Sequence, residues 1–342
     1  MGVTRNDVAR LAGVSPATVS YVVNNGPRPV SEETRQRVLR AIEQLGYRPS
    51  TIARSLKTKK TYGVGVVISD ILNPILASIE KAVEDVLLQQ GYSLTICNSD
   101  ESPDRERILL EMLDDRAMDG IILLPTGANL NLILNIVREG RKLVLIDRQI
   151  TELETDCVLF DNEAGAYEAV RHLVALGHTY IGLLNLPSSL TPGHGRLLGY
   201  QRALQDAGLP LLPQLVREGS FKAQEADILV TELLDTSPRP TALLVSSNRL
   251  AQAVLREVKA RNLRMPDDLA LCVFDDVAYY AFYSPSITAV AADAAELGAR
   301  AAQFLIERIN GTYTGEPRTA LIPCRLQIRE STAGPAAVGS GS

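Results

Sequence analysis

Long apolar runs are missing from this 342-residue chain. Nowhere do eighteen apolar residues stand together, which excludes a membrane-spanning helix of ordinary length. The opening MGVTRNDVARL carries charges where a signal peptide needs an apolar segment, so a cytoplasmic location is expected. Cysteine is sparse: Cys97, Cys157, Cys272 and Cys324 stand singly within or beside apolar runs, the pattern of buried reduced thiols. Only three histidines occur, His172, His178 and His194, with no paired spacing, and no metal site is expected. Catalytic motifs are also lacking. GVGVV has two glycines but no third at the spacing of a dinucleotide fingerprint, and neither GxxxxGK[ST] nor GxSxG is present. The expectation is a protein that is not an enzyme and takes no cofactor.

What is present is an uneven charge. Residues 1–60 hold eleven Lys or Arg against four acids, a net of +7, inside a chain whose total is −5. The remainder therefore carries −12. A small basic head on a large acidic body suggests that only the head meets a polyanion.

The head reads as three short helices. Thr4 can cap the first, with Asp7 at its third position and Val8, Leu11 and Ala12 as an apolar stripe; Gly13 stops it. Ser15 caps the second, with Pro16 where a missing N–H costs nothing and Val19, Val22 and Val23 on one face. Ser31 caps the third, whose stripe is Val38, Ile42 and Leu45 before Gly46. Two helices joined by a glycine turn and braced by a third make a helix-turn-helix unit, although small three-helix domains also serve as docking modules. Next, Ser50 can cap a helix from Thr51 to about Leu56, too short to be stable alone and so a segment that orders against a partner.

From Tyr62 onward apolar β-branched runs (YGVGVVIS, YSLTIC, DGIILL, KLVLI, CVLF, YIGLL, TALLV, LALCVF) alternate with helical stretches. Such alternation predicts parallel sheets covered by helices, with about ten strands arranged as two α/β units. Ligands in that architecture bind at the carboxyl ends of the strands.

Several stretches resemble the lactose-repressor (LacI/GalR) family of bacterial transcriptional regulators. VTRNDVARLAGVSPATVSYVVN, VSEETRQRVLRAIEQLGYRPS and ARSLKTKKTYGVGVV are similar to its head and hinge. RAMDGIILLP, LVLIDR, FDNEAGAYEAVRHLVALGHTYIGLL, RLLGYQRALQDAGL and LALCVFDDVAYYAFYSPSITAV are similar to its ligand-binding core. The resemblance implies a multidomain chain: an all-α helix-turn-helix head over residues 1–48, a hinge over 49–61, and a two-lobed periplasmic-binding-protein-like core over 62–330. Its first lobe would take about 62–160 and 291–319, its second about 161–290 and 320–330, leaving 331–342 as a disordered tail. That tail has no apolar heptad, so no tetramerising helix is expected.

The same resemblance implies a homodimeric repressor on a pseudo-palindromic double-stranded DNA operator, controlled by a small effector. The alternative is a sugar-binding protein without a transcriptional role. The DNA-facing set would be Thr4, Ser15, Pro16, Ala17, Thr18, Ser20, Tyr21 and Asn24. Tyr21 departs from the family, where an arginine is usual. Leu56 would wedge into the minor groove between Arg54 and Lys57. In the core, Arg196 matches a sugar-hydroxyl arginine and Asp275 its carboxylate partner across the cleft, with Asp147 as a further polar residue. Phe160 and Phe221 match ligand-packing positions, and Ser247 and Asn248 a polar pair. Ile75 and Leu76 stand where many members have two aromatics, which favours a small sugar, sugar acid or polyol over a stacked base. His194 lies near Arg196 and would be available to an anionic group.

Overall fold

The computed structural model describes residues 3–24, 28–47, 60–219 and 223–332. These form two packing units, one reaching Tyr62 and one beginning at Gly63. The first holds α1 (Arg5–Ala12), α2 (Pro16–Asn24) and α3 (Glu32–Leu45). Asp7 fixes the start of α1 by accepting from the Thr4 backbone N–H at 3.0 Å and the Thr4 hydroxyl at 2.6 Å. Those bonds hold its carboxyl below the usual range. Gly13 and Gly46 end α1 and α3 in the left-handed region, at φ 63° and 61°, where a Cβ is unfavourable. Val8, Ala12, Val19, Val22, Val38 and Ala41 are buried together as the small core. Burying each valine contributes about 1.5–3 kcal/mol, so this cluster carries the unit.

The second unit is built on two six-stranded sheets. The first contains β1 (Gly63–Ile68), β2 (Ser93–Asn98), β3 (Gly120–Leu123), β4 (Lys142–Ile146), β5 (Asp156–Phe160) and β11 (Thr319–Ile322). Their order is β11-β5-β4-β3-β1-β2, all parallel. The second contains β6 (Ile181–Asn185), β7 (Val216–Glu218), β8 (Ala242–Val245), β9 (Ala270–Phe274), β10 (Thr288–Ala292) and β12 (Cys324–Gln327). Its order is β12-β10-β9-β8-β6-β7, with only β12 antiparallel. Apart from that reversal, the two sheets share one strand order.

Helices α4 (Pro74–Gln89), α5 (Pro103–Asp115), α6 (Leu130–Arg138) and α11 (Ala294–Asn310) cover the first sheet. Helices α7 (Asn162–Ala175), α8 (Thr191–Asp206), α9 (Ala223–Leu234) and α10 (Asn248–Ala260) cover the second. Cys97, Cys157 and Cys272 are buried and Cys324 half-buried. Burial pushes the thiols of Cys157, Cys272 and Cys324 up to about 12.

Three boundaries differ from the sequence reading. The final crossing between sheets falls at Pro323, not at 319/320, because β11 continues to pair with β5 as far as Ile322. β10 belongs to the second sheet through Ala292, two residues beyond 290, since Ala291 and Ala292 pair with Arg325 and Cys324. The tail does not begin at 331: Ser331 is fully buried, its hydroxyl donating to Leu271 O at 2.6 Å and accepting the Thr288 N–H at 2.8 Å. Residues 49–59 of the hinge, with the Ser50 cap, and residues 333–342 lie outside the described residues.

Candidate functional site

Two sites are built by these elements, one in each unit. In the head, the Ser15 hydroxyl accepts the Thr18 N–H at 3.1 Å and lies 2.9 Å from the Thr18 hydroxyl. Thr18 is therefore engaged in capping α2. Pro16 and Ala17, in the first turn, are exposed, while Ser20 and Tyr21 are half-buried. Thr4 sits at the start of α1 and Asn24 is the last residue of α2. Arg54, Leu56 and Lys57 lie outside the described residues. The exposed Arg5, Arg37 and Arg40 add positive charge to this unit.

In the second unit, a cavity of about 50 Å³ opens at the carboxyl ends of the strands, between the two sheets. Asp147 follows β4, Phe160 ends β5, Asp275 follows β9, and Ser247 and Asn248 start α10; all line it, with Ile75 and Arg196. Phe221 lies outside the described residues.

Arg196 is buried on α8. Its Nε donates to Asn162 Oδ1 at 2.8 Å, its Nη1 bonds the Ser246 carbonyl, and its guanidinium stacks 4.2 Å from the centre of the Phe274 ring. This fixes the fork, leaving Nη2 as its uncommitted donor. Burial raises the carboxyls of Asp147 and Asp275 above the usual range. Nearby Arg148 and Arg196 oppose that rise at Asp147; Arg196 and the Asn248 N–H oppose it at Asp275. The cleft thus offers a fixed donor beside two acceptors that gain from proton-bearing partners.

The expected pairing of Arg196 with Asp275 across the cleft is corrected. Both belong to the second lobe, and the carboxylate on the far side is Asp147. Ser247 lines the cavity, but its hydroxyl accepts the Leu250 N–H at 3.2 Å as the cap of α10. Ile75 packs against the core of the second lobe as well as lining the cavity. His194 is exposed and does not line it.

Several contacts in and beside the cavity were not legible beforehand. Arg148 is buried and clamps Glu101 at 2.6 and 2.9 Å while donating to Pro125 O at 3.1 Å. Asp70 meets Arg249, and Asn248 Nδ2 donates to Asn73 Oδ1 at 2.9 Å. These partners are far apart in sequence and carry no local signal. Asn73 alone could have been found, as the residue before Pro74 that caps α4.

Residues 4–50 match the family model described as bacterial regulatory proteins, lacI family, and residues 170–332 the periplasmic binding protein-like domain. The probable HTH-type transcriptional regulator EndR of Paenibacillus polymyxa is 34% identical over 313 residues, spanning 91% of this chain and 92% of that protein. The chain belongs to the lacI family of bacterial regulatory proteins. It is a DNA-binding transcriptional regulator. Among solved structures, the lac repressor dimer bound to operator and the anti-inducer ONPF has a TM-score of 0.85 at 27% identity. It is matched over 97% of this chain and 100% of that one. The transcriptional regulator CelR–cellobiose complex has a TM-score of 0.74 at 30% identity over 96% and 100%. Within the lacI family's architecture, α2 is the second helix of the helix-turn-helix, and the cleft is the space between the lobes. No helix among the described residues is long and apolar enough to cross a membrane.

Proposed function

We propose that this regulator is a cytoplasmic, non-catalytic homodimeric repressor, and that a small polyhydroxylated effector held between its lobes controls operator affinity. The observation that carries the effector reading is the cleft itself. Arg196 is locked in place by Asn162, Ser246 and Phe274, in a cavity that Asp147 and Asp275 also line. A fixed guanidinium beside two carboxyls suits vicinal hydroxyls, each of which both donates and accepts. The operator reading is supported by the exposed first turn of α2 and by the +7 charge of residues 1–60. A pseudo-palindromic site follows from two heads related by a twofold axis. In the two solved complexes, the lac repressor dimer holds an operator and CelR holds cellobiose, which sets the classes of partner to try here.

Two measurements test the reading. Titration of duplexes selected from random DNA, at several salt concentrations, is expected to give a steep salt slope with sequence preference. A shallow slope without preference rejects the operator role. A thermal-shift screen of sugars, sugar acids, polyols and nucleosides is expected to yield a stabilising ligand whose effect Arg196→Ala removes. A ligand that stabilises both proteins equally binds elsewhere.

A further inference from the structure

We propose that Asp70 and Arg249, with Asn73 and Asn248, form a clip across the cleft that must open before a ligand enters. The clip rests on the reading of the cleft as the ligand site, but not on which effector fills it. Asp70 follows β1 in the first lobe; Arg249 is the second residue of α10 in the other. The Arg249 guanidinium bonds Asp70 Oδ2, while Asp70 Oδ1 accepts the Leu72 N–H at 3.0 Å. Asp70 is therefore held at its own end and Arg249 supplies the movable one. Asn73 Oδ1 accepts both the Ile75 N–H at 3.0 Å and Asn248 Nδ2 at 2.9 Å. The neighbouring Ile75 side chain reaches the core of the second lobe. Three nearby positions of the first lobe thus grip two adjacent residues and the core of the second.

The cavity that the clip residues Asn73, Asn248 and Arg249 help to line is narrow. A cavity of about 50 Å³ holds a few waters, each needing about 10–15 Å³ by the same measure. A six-carbon polyol has twelve non-hydrogen atoms, so enclosing one takes a wider separation of the lobes. The Arg249 and Asp70 side chains are 38% and 14% exposed, so the pair stands at the rim within reach of water and salt. An ion pair so placed is modest in strength and can open thermally. Apparent affinity is then the intrinsic affinity reduced by the fraction of open molecules. Arg249 and Asp70 set that fraction as positioning residues.

Access can be measured without knowing the effector. Leu124 lines the cavity and is buried. In the full-length Leu124→Cys protein, alkylation by N-ethylmaleimide, read by mass spectrometry against the parent's four native thiols, reports how often the cleft opens. Arg249→Gln and Asp70→Asn, each added to Leu124→Cys, are expected to speed it by about fivefold. The double exchange Asp70→Arg with Arg249→Asp is expected to restore the slow rate. Singles as slow as Leu124→Cys alone, or an exchange as fast as the singles, overturn the clip. Should the variants fail to fold, Leu124→Cys alone decides: faster alkylation in 1 M than in 0.05 M NaCl supports the clip, and an unchanged rate overturns it. Failure here leaves the effector reading standing, and failure of the thermal-shift screen leaves the clip standing.

Discussion

Asp147 and Asp275 occupy corresponding places in the two lobes. Each directly follows the third strand from the β11 or β12 edge of its sheet, and each has positive φ, 60° and 71°. Each also keeps its N–H in the ladder, Asp147 to Val158 O at 2.9 Å and Asp275 to Val290 O at 3.1 Å. The left-handed turn swings both carboxyls out of their sheets and into one cleft. Asp tolerates that conformation at a cost of about 1 kcal/mol, a cost that two lobes share for the sake of the site.

The same geometry makes the two carboxyls a burden on folding at neutral pH. Their folded pKa values are raised, chiefly by burial, so the folded state holds protons more tightly than the unfolded chain. The destabilisation is absent below the unfolded carboxyl pKa and grows as pH rises through the raised folded values. Asp147→Asn and Asp275→Asn keep the left-handed preference and remove the charge. Each is expected to raise the melting temperature at pH 7.5 by roughly 2–4 °C, with the gain vanishing near pH 4. A gain that is the same at both pH values assigns it to something other than titration.

Glu80 offers a second titration within the fold. It lies on the buried face of α4 between Leu76 and Val83, 7% exposed, and its Oε1 has no hydrogen-bond partner. Burial raises its carboxyl, so by the same sign its cost appears as pH rises above the ordinary carboxylate value. Glu80→Leu removes the buried polar group and is expected to stabilise by about 1–3 kcal/mol at pH 7.5. Urea melts at pH 4.5 and 7.5 check it: a loss of stability at the higher pH means that Glu80 is partnered in the native assembly.

The head and most strands were legible because their signals are local. Ser15-Pro16, Gly13 and Gly46 each determine one helix end through a hydrogen bond or a φ value that their own chemistry sets. β1, β3, β8 and β9, and β4 after its exposed Lys142, are buried on both faces and so appear as unbroken apolar runs. β7 (VRE) and β12 (CRLQ) are edge strands with exposed positions, and nothing in their composition marks them. The cleft residues Arg196, Asp147 and Asp275 came from family resemblance. The expected lobe bounds already put Asp147 in the first lobe and Arg196 and Asp275 in the second; which of them face one another was not legible, because it depends on which strand ends converge. The partners Glu101 of Arg148 and Asp70 of Arg249 are separated by 47 and 179 positions, beyond any periodicity.

Close helix crossing gives a prediction free of charge. On α8, a Cβ at Gly199 would fall onto the Glu163 carbonyl oxygen of α7 and within 2.8 Å of the Tyr167 nitrogen. Both obstacles are backbone, which cannot rotate away. Gly199→Ala is expected to cost about 1–3 kcal/mol by forcing the helices apart. Denaturant unfolding measures this directly; a variant as stable as the parent shows that α7 and α8 can separate without loss.

Tyr21 lies within α2. It is half-buried, one turn beyond the exposed Pro16 and Ala17, and carries a phenol. A phenol offers one donor and an apolar ring, whereas guanidinium bonds guanine O6 and N7 together, a contact worth about 1–3 kcal/mol of discrimination. Selection of sites from random DNA by this protein and by Tyr21→Arg is therefore expected to differ at one position in each half-site. There the variant should gain guanine preference by about tenfold. Preferences at the flanking positions should stay unchanged. Identical site preferences for both proteins would place Tyr21 against the phosphate backbone, and the choice of operator would then lie with the first turn of α2.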